Sequence, residues 1–157
     1  MTQTDKWDRK YLELAKYIAT NWSKDPSTKV AAILVNYEHR QEFIGYNGFP
    51  EGVLDTEERY NDRELKYKLV VHAEVNAILK AGLLARGATL YVYPSFSFPP
   101  ICNECVKVAI QSGIKEIVGY NANLNDLRVK RWEESISISK LMCQEAGITW
   151  RGLNENN

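Results

Sequence analysis

A three-layer α/β/α domain on a mixed five-stranded sheet is what the apolar patterning of this chain predicts. Three observations carry that expectation. The chain opens on an amphipathic helix, with Trp7, Tyr11, Leu14, Ala15, Ile18 and Trp22 at intervals of three and four. Two strand-like runs separated by four polar residues follow, as in a hairpin. Strand-like and helix-like stretches then alternate to the end, which places helices against the faces of a sheet. At 157 residues, 45% hydrophobic and 25% charged, the chain suits a single domain over 1–157, without repeats or linkers.

Each element has its own signal. The first helix, from residue 7 to about 22, should stop in Asn21-Trp-Ser-Lys-Asp-Pro26, because proline disfavours helix in the residue before it. Val30 to Val35 is a buried strand and Gln41 to Tyr46 its hairpin partner, with His39 solvated in the turn between them. Gly45 to Gly52 holds three glycines and a proline in eight residues; such a segment can bring backbone N–H groups close to a phosphate, or simply bend at the surface. The dense charges from Asp55 to Lys68 read as a solvated connection, helical or irregular.

A helix begins near His72 and stops at Gly82, so His72 and Glu74 share its first turn. Ala88 to Tyr93 is the third strand. Asn103 to Ser112 is a helix closed by Gly113, Lys115 to Tyr120 the fourth strand, and Trp132 to Ala146 a helix with Ile136, Ile138, Leu141 and Met142 as apolar positions. Ile148 to Trp150 is a short last strand, and residues 154–157 should fray.

Composition narrows the function. Lys plus Arg and Asp plus Glu balance at 20 each, so no global field draws a nucleic acid and a small substrate is favoured. The first residues lack the build of a secretory signal and no apolar run reaches the ~20 residues of a membrane span; a cytoplasmic protein is expected. Of three cysteines, Cys102 and Cys105 form C-x-x-C, which fits metal binding better than a disulfide framework. A redox dithiol is the other reading of that pair, but it leaves His72 and Glu74 without a role.

One imidazole and two thiols, His72, Cys102 and Cys105, can hold zinc by three ligands and keep its fourth tetrahedral position for water. Thiolates at a helix amino terminus are favoured by its free N–H groups. Glu74, two residues from the histidine and not needed as a ligand, can then carry protons to and from that water. The competing structural reading makes Cys143 a fourth ligand and the ion a staple, whereas a cysteine on the apolar stretch of the last helix is more often a small buried hydrophobe.

His72-Ala-Glu74 followed by Pro100-Ile-Cys102-Asn-Glu-Cys105 resembles the H-x-E and P-C-x-x-C signature of zinc-dependent nucleobase deaminases. The likeness extends along the chain. Ser23-Lys-Asp-Pro-Ser-Thr-Lys-Val-Ala-Ala32, Gly45-Tyr-Asn-Gly-Phe-Pro50, His72 to Ile78, Cys102 to Lys107, Gln111 to Ile117 and Ala146-Gly-Ile-Thr149 resemble, in order, segments of the deoxycytidylate (dCMP) deaminases. That resemblance implies the cytidine deaminase-like fold, conversion of dCMP to dUMP with release of ammonia, and a homohexamer. It further implies Glu74 as the proton carrier, Asn47 on the deoxyribose, and Lys24 and Ser27 toward the 5′-phosphate. Gly45, Tyr46, Asn47, Gly48, Phe49 and Gly52 resemble the family's allosteric nucleotide site, where dCTP with Mg2+ activates and dTTP inhibits.

The chain departs from the family pattern in two places. Residues 94–101 are longer than the usual passage from strand to Pro-Cys, and Ile101 separates Pro100 from Cys102. Phe96 or Phe98 could stack on the base there, and preference could move toward dCTP or a modified cytosine. Residues 55–71 contain no Cys or His, so no second, structural zinc is expected there. A deaminase editing tRNA adenosine or single-stranded cytidine would share the zinc motif but need a basic groove and aromatic platforms. A catalytically silent nucleotide sensor would not need Glu74.

Overall fold

The computed structural model describes residues 2–96, 98–123 and 125–155. Its sheet has five strands, β1 (Ala31–Asn36), β2 (Gln41–Tyr46), β3 (Thr89–Tyr93), β4 (Glu116–Tyr120) and β5 (Thr149–Leu153), in the order β2-β1-β3-β4-β5. β1 runs antiparallel to both β2 and β3, Ala31 facing Tyr46 on one side and Tyr93 on the other. The β3–β4 and β4–β5 pairs are parallel. The sheet is therefore mixed, as expected, and β5 is longer than Ile148 to Trp150.

β1 shows why the run at 30–35 carries no polar residue. Its side chains alternate between two apolar layers, the period-2 geometry of a strand covered on both faces. Ala31, Ile33 and Val35 meet Leu12, Ala15, Ile18 and Ala19 of α1 (Gln3–Trp22). Ala32 and Leu34 meet the opposite layer, formed by Ala73, Ala77, Ile78 and Ala81 of α4 (Ala73–Ala81) with Val106 and Ala109 of α5 (Asn103–Ser112) and Cys143 of α7 (Glu133–Ala146). Thus α1 forms one outer layer, and α4, α5 and α7 the other.

Some sequence expectations shift. α1 starts at Gln3 under a capping box of Thr2 and Asp5, and Trp7, Leu14 and Trp22 of its expected inner face are exposed. In α7 the buried positions are Ser139 and Cys143, while Ile138 and Leu141 face outward. The charged stretch after Gly52 is not a solvated connection throughout. It folds as α2 (Glu57–Asn61), capped by Thr56, and α3 (Arg63–Leu69), capped by Asp62, and it buries Tyr60 and Lys66. A further short helix, α6 (Leu127–Arg131), precedes α7 and is capped by Asp126. Of the expected frayed tail, Asn154 accepts from Arg9 and Glu155 pairs with Lys16 of α1; residues 156 and 157 lie outside the described set.

On the α1 face a buried polar chain joins both ends of the sequence. Asp8 is fully buried; it accepts from the Tyr91 hydroxyl at 2.7 Å and from the Arg151 guanidinium of β5, which also grips Glu116 at 2.6 Å. No helix is long and apolar enough to cross a membrane among the described residues.

Candidate active site

β2 and α4 touch so closely that only glycine fits between them. A Cβ on Gly45 would lie 2.2 Å from the Ala73 carbonyl oxygen and 2.4 Å from the Ala77 nitrogen, far inside van der Waals contact. Beyond Gly45 the chain is pinned again, since Gly48 and Val71 exchange backbone hydrogen bonds of 3.2 and 2.7 Å. These contacts fix the first turn of α4, which delivers His72 as its N-cap residue and Glu74 within it.

α5 delivers the other donors, with Cys102 as its N-cap residue and Cys105 in its first turn. Neither His72 nor Cys102 makes a side-chain capping hydrogen bond, so both side chains are free to meet. His72 Nδ1 lies 3.1 Å from Cys105 Sγ and 3.5 Å from Cys102 Sγ, and the three donor atoms all lie within 4.8 Å of one another. A tetrahedral zinc ion with Zn–N of ~2.0–2.1 Å and Zn–S of ~2.3 Å requires nitrogen-to-sulfur separations of roughly 3.6 Å. Spacing and soft-donor chemistry both fit zinc.

Hydrogen bonds and burial pull the trio's donors in different directions. A hydrogen bond from Cys105, then one from His72, draws the Cys102 thiol down to about 4 against the cost of burial. Although Nδ1 lies nearer Cys105, it is chiefly the hydrogen bond to Cys102 that raises His72 to about 9. The hydrogen bond with Cys102, then burial, push the Cys105 thiol up, so a cation taken up by the trio displaces protons from His72 and Cys105. Glu74 is only 6% exposed, with Oε2 3.7 Å from Cys105 Sγ. Burial, and next the charge on Cys102, raise its carboxyl above the usual range, while His72 opposes them.

Cys143 stands apart. It is fully buried in the apolar layer, burial alone pushes its thiol up to about 11, and the metal-competent group among the described residues is His72, Cys102 and Cys105.

A cleft lies over the trio, and His72, Glu74 and Cys102 line it. Asn47 lines it too. Its amide is also a staple: Oδ1 accepts from Ser23 Oγ at 2.7 Å and Val30 N at 2.9 Å, and Nδ2 donates to Thr28 O at 2.7 Å. One amide proton is left without a partner among the described residues. Ser27 lies just behind, its hydroxyl accepting from Lys66 Nζ at 2.7 Å. Lys24 is not among the cleft-lining residues; its exposed ammonium pairs with Asp55 at 2.5 Å.

Of the glycine-rich segment, Asn47 is the residue in the cleft. Tyr46 meets Trp22 edge to face, Phe49 stacks on Tyr60 with centroids 4.3 Å apart, and Gly52 takes φ +83° in a surface turn. Phe96 lines the cleft, whereas Phe98 packs where a Gly152 side chain would stand. Ser97 lies outside the described residues.

Several cleft residues escape sequence reasoning. Lys66 is 4% exposed with Nζ 3.2 Å from Asp25 Oδ1, and Arg128, Arg131 and Trp132 come from α6 and its exit. Asp126 before Leu127-Arg-Val-Lys-Arg131 was a readable N-cap signal. Nothing in the pattern distinguishes Lys66 from its solvated neighbours.

Two helix ends thus hold a soft trio with room for one more ligand, beside a buried carboxylate; the class this defines is a zinc hydrolase with an open coordination position. Residues 5–121 match the family described as the cytidine and deoxycytidylate deaminase zinc-binding region. A deoxycytidylate deaminase of Mus musculus is 36% identical over 152 residues, 93% of this chain and 79% of the mouse protein. A protein of Aliivibrio fischeri described as an uncharacterized deaminase is 36% identical over 151 residues, 95% of this chain and 96% of its own. The dCMP deaminase of cyanophage S-TIM5 shares the fold, with a TM-score of 0.67 at 21% identity over 98% of this chain and 100% of that one. The chain belongs to the zinc-dependent cytidine and deoxycytidylate deaminase family.

Proposed function

We propose that the chain hydrolyses dCMP to dUMP and ammonia. The observation that carries this reading is the buried Glu74 carboxylate beside the His72, Cys102 and Cys105 donors at the base of the cleft; the deoxycytidylate deaminases among its relatives support the choice of substrate. His72, Cys102 and Cys105 would hold a zinc ion, which would make a bound water acidic enough to react near neutral pH. Glu74 accepts a proton from that water and delivers it to N3 of the cytosine ring. A C–O bond forms at C4. Glu74 then takes the proton of the new C4 hydroxyl and passes it to the exocyclic nitrogen; the C4–N4 bond breaks, C4=O forms and ammonia leaves. Asn47 offers its remaining amide proton to the deoxyribose. Lys24 and Ser27 belong to the segment that resembles the family's phosphate-proximal loop, but Lys24 would have to leave Asp55 to take part.

The same reading includes control by dCTP with Mg2+ as activator and dTTP as inhibitor at the Gly45 to Gly52 segment, and assembly as a homohexamer in the cytoplasm. One assay tests most of it: ammonia release by zinc-loaded protein from CMP, dCMP, dCTP and deoxycytidine, each with and without Mg·dCTP or dTTP. Preference for dCMP is expected. No release from dCMP ends the proposal, and preference for dCTP moves it to a triphosphate deaminase. Glu74→Gln should retain zinc and lose ~10²–10⁴ of kcat; full activity in that variant would remove Glu74 from the proton path.

A further inference from the structure

Three Lys and Arg side chains line the cleft, and two of them are already engaged. The Lys66 ammonium is held by Asp25 and Ser27. Arg128 directs Nε and Nη2 at the Asp126 carboxylate, at 3.0 and 2.6 Å, with its guanidinium 4.5 Å from the centroid of Phe96. Arg131 has no hydrogen-bonding or ion-pair partner among the described residues. Asp126, already paired with Arg128, acts on it only through space, and no carboxylate among the described residues grips it directly.

Arg131 is also placed in register with the chemistry. One turn further along the chain, Ser135 accepts from the Asn103 backbone N–H at 2.9 Å and donates to Asn103 Oδ1 at 2.7 Å. Asn103 follows Cys102 directly, so the segment carrying Arg131 is tied to the helix end that carries a metal donor. Phe96 on Arg128 joins the 94–101 segment to the same wall. A planar guanidinium with free N–H groups matches the oxygens of a phosphoryl group, and can bind two at once.

We infer that Arg131 is the specificity-determining residue that holds the phosphomonoester of the substrate at the cleft mouth while the base reaches Glu74. This assignment rests on the proposed deaminase reading. It places phosphate recognition on α6 rather than on Lys24.

The test compares kcat/KM for dCMP with that for deoxycytidine in wild type, Arg131→Gln and Arg131→Lys, all zinc-loaded. The ratio should fall about 10- to 100-fold in Arg131→Gln, the scale of hydrogen bonds to a charged group, and by less in Arg131→Lys, which keeps charge but loses the planar fork. Because the ratio is internal to each protein, partial misfolding does not imitate the effect. An unchanged ratio overturns the inference and leaves the deaminase reading standing. If wild type releases ammonia from neither compound, the deaminase reading falls, and orthophosphate binding decides the inference. Phosphate should then raise the melting temperature of wild type and not of Arg131→Gln, and an equal rise in both overturns it.

Discussion

Replacing Lys66 with Met removes a buried ammonium and leaves its partner in place. Asp25 is 2% exposed and keeps three donors from its own turn: Ser27 N at 2.9 Å, Thr28 N at 3.0 Å and Ser27 Oγ at 3.1 Å. What it loses is a charge at 3.2 Å. At an effective dielectric of about 20, that attraction is about 5 kcal/mol gross, and breaking a buried pair from one side typically costs ~3–5 kcal/mol. The three remaining donors solvate the stranded carboxylate in part, so about 3 kcal/mol is expected. With a urea slope of ~2 kcal/mol/M, the midpoint should drop by about 1.5 M at neutral pH. Adding Asp25→Asn should recover part of the loss, because neither charge is then stranded.

Acidity gives the same experiment a second axis. Burial, the largest influence on Asp25, acts to raise its carboxyl, but the Ser27 and Thr28 N–H groups and Lys66 outweigh it and hold it below the usual carboxylate value. A lowered folded value means the stabilisation is complete above the unfolded value of ~3.9 and disappears as pH falls through the folded one. The wild-type advantage over Lys66→Met should therefore shrink in acid. A Lys66→Met protein within about 0.5 kcal/mol of wild type at neutral pH, the range of ordinary surface changes, would refute the view that this pair is desolvated.

Two further outcomes are expected. Gly45→Ala drives a methyl group into the α4 backbone, where no flexible side chain can yield; stability should fall by ~1–3 kcal/mol by thermal denaturation, and kcat should fall with it, up to ~10²-fold, because Glu74 moves with the helix. Cys143→Ser should cost about 1–2 kcal/mol for burying a hydroxyl and keep full zinc content by atomic absorption, whereas loss of metal would make Cys143 a protein ligand.

Much of the fold was legible because β1 and β3 carry uncharged, largely apolar runs and α4, α5 and α7 carry glycine stops. Gly113, at φ +81°, ends α5 where expected. The grouping of His72, Cys102 and Cys105 was legible from the H-x-E and C-x-x-C signature, since all three lie at helix starts that the apolar pattern marks. Lys66 was not. In sequence it is one of nine charged residues from Asp55 to Lys68, and only a partner 41 positions away makes its burial possible. The face of α1 was misjudged for a related reason: a buried Asp8 displaces the apolar stripe, and its compensating arginine comes from the last strand. α6 escaped because it is five residues long and exposed, so it has no amphipathic stripe to read.

The clasp among Asp8, Tyr91 and Arg151 bears on the order in which this chain can mature. Asp8 leaves the ribosome before the guanidinium that neutralises it, which follows 143 residues later. Until β5 docks, closing α1 onto the sheet would bury that carboxylate without its cation, so the nascent chain keeps it in water with α1 off the sheet. Every deaminase-signature residue precedes β5, yet a ribosome stalled before Thr149 would release a chain whose first helix has no counterion beneath it. Final locking of the opening helix is thereby deferred to the closing strand.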